Sequence, residues 1–388
     1  MICRIYISGS VGYDEIMDFP GHFKDYFHPD KLHQINVSFA VDKLAKHVGG
    51  IATNIAYSLR KTVDYYHASH ARHPEFISGS GEMLKQVQHD KYGVGHDKYD
   101  IRLDSDFRRN DDVVVYPVAA VGKDGDALLQ FFRDNDLSVD HVTKDETLFT
   151  TTGKVITDQN DNQIWGYYYG ASKKFDFSTV IPNLFRDQGK KSIKRDSDLH
   201  RNDRNEQFWI LSATHERPFT KVLQHVIKNK LPYLFDPGMT LTWIRDDQLK
   251  KGVLGATYVI GNDYEMAMVE KRLQMKVADI VRKGVNVIVT MGEKGVKYVQ
   301  TYKRANVQTF TLPSFKVKKV VDPTGAGDAW RGGFVGALAA GRPIQECLVM
   351  GNVMGSLAVE SVGTVEYKPT VREIEKRVKA LAKIKYKL

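Results

Sequence analysis

This sequence is poor in cysteine, has no long apolar run and lacks the Walker-type phosphate loop. Only two cysteines, Cys3 and Cys347, occur in 388 residues. One falls in an apolar strand pattern and the other in a late helix pattern, a spacing that suits neither a disulfide framework nor a metal site. A reducing cytoplasm is the expected compartment. No apolar run approaches the roughly 18 residues that a membrane span requires. Met1 to Ile7 shows no basic stretch leading into a long apolar core, so no secretory signal is read. The absence of G-x-x-x-x-G-K-[ST] disfavours a Walker-type NTPase. Zinc patterns, RNP-like motifs and basic helices are also missing. A net charge of +9, from 56 Lys and Arg against 47 Asp and Glu, is then the single hint of a polyanionic partner. The stretch Lys376 to Lys387 is Lys-rich but interleaved with Ala, Leu, Ile and Tyr, and reads as the solvated end of an amphipathic helix.

An apolar content of 42% fits a globular chain. Strand patterns at Ile2–Ile7, Val113–Val121, Phe208–Ser212, Tyr233–Asp236, Tyr258–Gly261 and Val285–Thr290 alternate with helix patterns. The helix patterns lie at Thr53–Arg60, Asp126–Asn135, Arg217–Asn229, Tyr264–Lys271, Ala329–Ala340 and Ile344–Val359. Several strands are near-continuous apolar runs, as expected where helices cover both sheet faces. The alternation predicts an α/β fold with a doubly wound, mostly parallel sheet and helices on both faces. Functional sites in such folds lie at the C-terminal ends of the strands. Two segments, about 67–112 and 186–206, are polar, charged and poor in aliphatics. They share a repeat, Ile101 to Asp111 and Ile193 to Asp203, too short and too few in copy to stack as a solenoid.

The most informative stretch is Asp322-Pro323-Thr324-Gly325-Ala326-Gly327-Asp328, which runs into a helix pattern. Backbone N–H groups of Gly325, Ala326 and Gly327, with the positive end of a helix dipole, would converge as an anion-binding nest. A Cβ would obstruct such close backbone approach. Asp328 would be a poor anion ligand in that position but a sensible general base, taking a hydroxyl proton while the nest holds a phosphoryl group. The competing interpretation is a capped helix with Asp in its first turn.

The heptapeptide resembles the signature of the ribokinase-like (PfkB) family of carbohydrate and nucleoside kinases, usually D-T-x-G-A-G-D. Pro323 and Thr324 depart from that form. Four further motifs occur in family order: Gly9-Ser10-x-x-x-Asp14, Gly49-Gly50-x-x-x-Asn54, Asn262-Asp263-Tyr264-Glu265 and Thr290-Met291-Gly292-x-x-Gly295. Each is weak alone; together they span most of the chain. The resemblance implies one ribokinase-like kinase domain over 1–388. Segments about 14–44 and 154–169, rich in Phe, Trp and Tyr, would form a small β lid over the acceptor. Segments 67–112 and 186–206 would be inserted surface loops, tolerable because closure entropy grows only slowly with length.

By the same resemblance Asp328 would be the base and Gly325–Gly327 the anion hole. Asp14 would accept hydrogen bonds from two vicinal ribose hydroxyls, with Gly50, Asn54, Ser10 and Ser38 nearby. Asn262 and Glu265 would organise Mg²⁺ through its waters, although Asn and Glu at this spacing also make an ordinary helix-start pair. Thr290, Gly292, Gly295 and Asn352 would line the ATP site. Arg331 would reach phosphate or pair on the surface. A monovalent cation such as K⁺ is a further expectation, without assignable ligands.

The stretches Ile16–Phe23, Val37–Val41 and Ser361–Thr364 look like bacterial adenosine kinases within the family. An adenine would then stack on Phe39 and Tyr167. The expected reaction is ATP-dependent phosphorylation of the adenosine 5′-hydroxyl, in a cytoplasmic enzyme that pairs as a homodimer through its lid. A PfkB-type sugar kinase is the alternative. A non-catalytic nucleoside sensor is a further one, disfavoured by the intact Asp328 turn.

Overall fold

The computed structural model describes residues 2–27, 36–72, 113–160, 162–180, 206–302 and 306–382. Its strands are β1 (Arg4–Ser8), β2 (Gly12–Asp18), β3 (Lys43–Gly49), β4 (Val114–Val121), β5 (Val142–Lys144), β6 (Thr151–Thr157), β7 (Gln163–Tyr168), β8 (Gln207–Leu211), β9 (Tyr233–Phe235), β10 (Tyr258–Asn262), β11 (Asn286–Thr290), β12 (Val296–Tyr302) and β13 (Asn306–Leu312). The helices are α1 (Ile51–Arg72), α2 (Asp126–Asp134), α3 (Glu216–Lys228), α4 (Asp246–Gly255), α5 (Asp263–Leu273), α6 (Val277–Arg282), α7 (Ala326–Ala339), α8 (Ile344–Ala358) and α9 (Val371–Ala382).

The main sheet has nine strands in the order β13-β12-β11-β10-β9-β8-β1-β4-β5. From β5 to β11 all neighbours are parallel; β12 and β13 add an antiparallel edge. The apolar runs are apolar because both faces are buried. Ile5, Ile7, Phe208 and Ile210 enter one core, with α1, α7 and α8. Tyr6, Trp209 and Leu211 alternate into the other core with α3 and α4. β1 sits centrally, with β4 on one side and β8 on the other, so the chain reverses its winding there. In open α/β sheets that switch point opens a crevice at the strand C-termini.

Helix α7 packs tightly between α1 and α8. A Cβ on Gly332 would stand 2.5 Å from Ser58 Cβ, and one on Gly333 would stand 2.7 Å from Met350 O. Glycine lets these backbones approach closely enough to fix α7 against α1.

The second sheet is the expected lid, four strands in the order β3-β2-β6-β7. β2 pairs antiparallel with β3 and parallel with β6. A cluster of Phe19, Phe23, Tyr26 and Phe39 packs beside the end of this sheet. Asp158, in the β6–β7 turn, accepts from the Phe23 N–H at 2.9 Å and ties that cluster to the lid.

Helix α1 continues through Arg72, into the start of the first charged segment. The rest of that segment, nearly all of the second and both copies of the repeat lie outside the described residues. Helix α9 confirms the amphipathic C-terminal pattern up to Ala382.

Candidate active site

The turn before α7 is built by Asp322. Its Oδ1 accepts from the Thr324 N–H at 2.9 Å and its Oδ2 from the Gly363 N–H at 3.0 Å. Gly325 caps the helix in the left-handed region at φ 75°, and a Cβ there would meet Thr364 Cγ2 at 2.8 Å. α7 begins at Ala326, earlier than the apolar pattern indicates. Asp328 is therefore its third residue, and the Gly325–Gly327 amides belong to the helix start. Of these, the Ala326 N–H donates to Pro323 O at 3.3 Å.

Asp328 is held from two sides. Asn54 Nδ2 on α1 donates to Asp328 Oδ2 at 2.9 Å, and Arg331 Nη1 stands 3.7 Å from Oδ1. Burial pushes the Asp328 carboxyl up to about 6, against the lowering effect of Arg331 and Asn54. A carboxylate in that range is largely ionised near neutrality yet basic enough to take a proton.

Asp328, Gly325 and Asn54 line a cleft of about 170 Å³ between the main sheet and the lid, together with Ser10, Asp14, Gly50 and Tyr167. Asp14 lies on β2 between two glycines. A Cβ on Gly49 of β3 would stand 2.1 Å from Asp14 Oδ2, and one on Gly153 of β6 would stand 2.9 Å from Oδ1. These strands leave room for a carboxylate folded over the sheet. Burial raises Asp14 to about 6; His47 opposes the shift and Asp322 adds to it. Gly50 adopts φ 91°, where a Cβ would also strike Ser10 O at 2.7 Å. Ser10 Oγ accepts from the Ile51 N–H at 3.1 Å, so this side chain helps to hold the start of α1.

Over the cleft, Trp165 and Tyr167 of β7 stack at 5.4 Å with planes 5° apart. Burial, with help from Asp14, pushes Tyr167 up to about 12. Trp243 and Met239 line the opposite wall. Ser38 and Phe39 do not line this cleft. Ser38 is exposed, and the Phe39 ring packs 4.8 Å from Phe19 and 5.0 Å from Phe23.

The residues expected to bind ATP and metal do not line this cleft; all but Asn352 lie at or just after the ends of β10 and β11. Asn262 and Thr290 are register partners where β10 and β11 end. Asn262 and Glu265 form a reciprocal capping box on α5, each side chain accepting the other's backbone N–H at 2.8 Å. Burial raises the Glu265 carboxyl, and Asp236 adds to it. Gly292 and Gly295 take φ 57° and 95°, the second with Leu312 O only 2.0 Å from where a Cβ would be. Asn352 is buried; it accepts from Trp330 Nε1 and donates to Pro313 O, both at 2.8 Å, so its amide ties α8 to α7.

Arg331 is buried, which decides between the two roles expected for it against surface pairing. Its Nε and Nη2 each lie 2.9 Å from a different oxygen of Asp236. Sequence reading missed Asp236, although it follows an apolar strand directly, where sites in this fold class sit. It also missed Trp165, Trp243 and Met239 as cleft residues.

The family profile described as "pfkB family carbohydrate kinase" matches residues 114–371. A nucleoside kinase of Methanocaldococcus jannaschii is 23% identical over 363 residues, covering 91% of this chain and 93% of its own. The structure of a Burkholderia thailandensis nucleoside kinase in complex with inosine superposes with a TM-score of 0.68 at 23% identity, covering 97% of this chain and 98% of its own. The same enzyme in complex with ADP-inosine gives 0.63 at 24% identity, covering 97% and 95%. An adenosine kinase of Schizophyllum commune matches a shorter stretch, 31% identical over 99 residues, 26% of this chain and 29% of its own. The chain belongs to the PfkB family of carbohydrate kinases, phosphotransferases that act here on a nucleoside or a sugar.

Proposed function

We propose that this enzyme transfers the γ-phosphoryl group of ATP to the 5′-hydroxyl of a ribonucleoside, with adenosine as the expected acceptor. The observation that carries this reading is a single cleft that holds Asp328 beside a helix N-terminus, Asp14 in its glycine cradle and the Trp165–Tyr167 stack. No hydrogen bond of the Asp14 carboxylate occurs among the described residues. Two vicinal ribose hydroxyls are the donors it lacks. The aromatic wall suits a base, and base–aromatic stacking contributes about 1–3 kcal/mol per base in other systems. A bare sugar leaves that wall unused.

In the proposed reaction Asp328 takes the proton from the 5′-hydroxyl. The new O–P bond forms as the bond from the γ-phosphorus to the bridging oxygen breaks, and its electron pair leaves on ADP. The amides at Gly325 and Gly327, with the α7 dipole, would face the charge on the transferring group. Thr290, Gly292 and Gly295 would flank ATP. Asn262 and Glu265 fit Mg²⁺ only through its water shell: each is engaged in the cap, and no set of three potential ligands converges among the described residues. Mg²⁺ would neutralise phosphate charge there. Pairing through the lid is part of the same reading, because Leu44, Ile164 and Tyr168 are exposed on it. Light scattering of the purified protein checks this, and a monomer would refute the pairing.

The test is ADP release from Mg·ATP with adenosine, inosine, guanosine, ribose and fructose 6-phosphate, alongside Asp328→Asn. Adenosine-dependent turnover that disappears in the variant supports the reading. Turnover confined to ribose or the sugar phosphate rejects the nucleoside.

A further inference from the structure

The guanidinium of Arg331 has two ends, and the fold uses only one of them structurally. Arg331 Nη2 donates to Asp236 Oδ1 at 2.9 Å, and Nε lies 2.9 Å from Oδ2 as an ionic contact without a hydrogen bond. Both residues are more than nine-tenths buried, Asp236 at 2% and Arg331 at 9% exposure. One charge-assisted hydrogen bond and a second close contact to the same carboxylate hold this edge of the guanidinium against Asp236. The remaining nitrogen, Nη1, makes no hydrogen bond among the described residues. Its position is set by helix geometry: residues three and four apart share one face, so Arg331 lies over both Asp328 and Gly327. Nη1 is 3.7 Å from Asp328 Oδ1, beyond hydrogen-bond distance. It also stands 2.8 Å from where a Cβ on Gly327 would be. Any side chain at 327 would push the guanidinium away from the helix start. Here a buried cation, oriented by a carboxylate, presents spare N–H donors at the backbone turn that opens α7.

We propose that Arg331 is a catalytic residue. Its Nη1 donates to a non-bridging oxygen of the transferring phosphoryl group, and Asp236 is the positioning residue that aims it. This rests on the phosphotransfer reading above and adds to it a charge supplied from the enzyme's own helix. No atom passes to or from Arg331. It stabilises negative charge while the acceptor oxygen forms its bond to phosphorus and the ADP oxygen leaves. Preorganised donors of this kind act most strongly where water is excluded.

The test compares wild type with Arg331→Gln/Asp236→Asn, which removes both charges of the buried pair together. Calorimetry in Mg²⁺ buffer measures binding of ADP alone, then of ADP with aluminium fluoride and adenosine, a mimic of the transferring group. Wild type binds the mimic more tightly than ADP. In the double variant that tightening disappears while ADP affinity stays, and kcat falls about 10²–10³-fold. Thermal melting verifies that the variant is folded. Should it not fold, Arg331→Lys keeps the positive charge without the guanidinium's separate Nη1 donor and is expected to weaken the mimic alone. A folded variant whose kcat stays within about threefold of wild type would overturn the proposal. So would retained binding of the mimic with only a displaced pH profile, because Arg331 would then act through Asp328. Wild type that shows no tightening with adenosine, inosine or ribose refutes the underlying acceptor reading instead, and this one with it.

Discussion

Along the main sheet, side chains of β1 and β8 alternate between two closed cores, and all but Arg4, Ser8 and Gln207 are apolar. Along the lid, β2 and β3 carry Asp14, Glu15, Lys46 and His47, and few positions are buried. The main sheet is covered on both faces and gains stability from each residue. The lid has one face over a cleft and, among the described residues, leaves the Asp14 carboxylate without a hydrogen bond. On the proposed reading the difference separates two duties: the main sheet and its helices would hold the base, and the lid would recognise the acceptor. Stability and specificity should therefore respond to different substitutions.

The largest effect is expected at the junction of the two. Asp328→Asn should lower kcat by about 10²–10⁴-fold, the range of general-base catalysis. It should not weaken the fold. The folded-state carboxyl is raised to about 6, so its stabilising contribution is complete below about pH 3.8 and is lost as pH rises through 6. Removing the ionisable group should leave stability at pH 8 equal or higher in chemical denaturation. A variant that melts early would mark Asp328 as a structural cap.

Next comes the main sheet. Trp209 is fully buried, stacked 4.6 Å from Tyr6. Trp209→Ala should cost about 3–5 kcal/mol, read by denaturant titration, with kcat per folded molecule unchanged. On the lid, Asp14→Asn removes hydrogen bonds to a charged acceptor, each contributing about 1.5–3 kcal/mol. Steady-state kinetics should show a higher KM for the nucleoside, an unchanged KM for ATP and an unchanged melting temperature. Equal losses of stability in these two variants would erase the distinction between the sheets.

The smallest effect is in pH dependence. A base that must be ionised and titrates near 6 predicts activity that falls as pH drops through about 6. Asp14 is raised to the same region. The acid limb of kcat/KM should persist in Asp14→Asn if Asp328 carries it, and vanish if Asp14 does.

Most of the main sheet was legible because double burial writes itself as apolar runs such as Phe208–Ile210. The turn that opens α7 was legible because Gly325 and Asp328 lie only three residues apart in sequence. The cap formed by Asn262 and Glu265 was equally local. Phe39 was harder: aromatic character fits a stacking role and a packing role alike, and the fold places it against Phe19 and Phe23. Asp236 and Arg331 were not legible as a pair. They are 95 residues apart, and neither shows in its local pattern that burial will join them. The lid strands were seen only as unusual regions, since mixed polar and aromatic residues on a half-covered sheet give no clear period.

Gly50 has a mechanical consequence. β3 ends at Gly49 and α1 starts at Ile51, so one residue connects the sheet that carries Asp14 to the helix whose Asn54 touches Asp328. The Asn54 N–H donates to Gly50 O at 3.0 Å, and its side chain ends on Asp328. A joint this short has no slack. On the proposed reading a ribose seated on Asp14 would load the lid, and the load would pass within one helical turn to Asp328. Water reaching the same carboxylate applies no such load. On the proposed reading the linkage would supply a means of timing: arrival of the acceptor would set the base, and ATP would be spared wasteful hydrolysis.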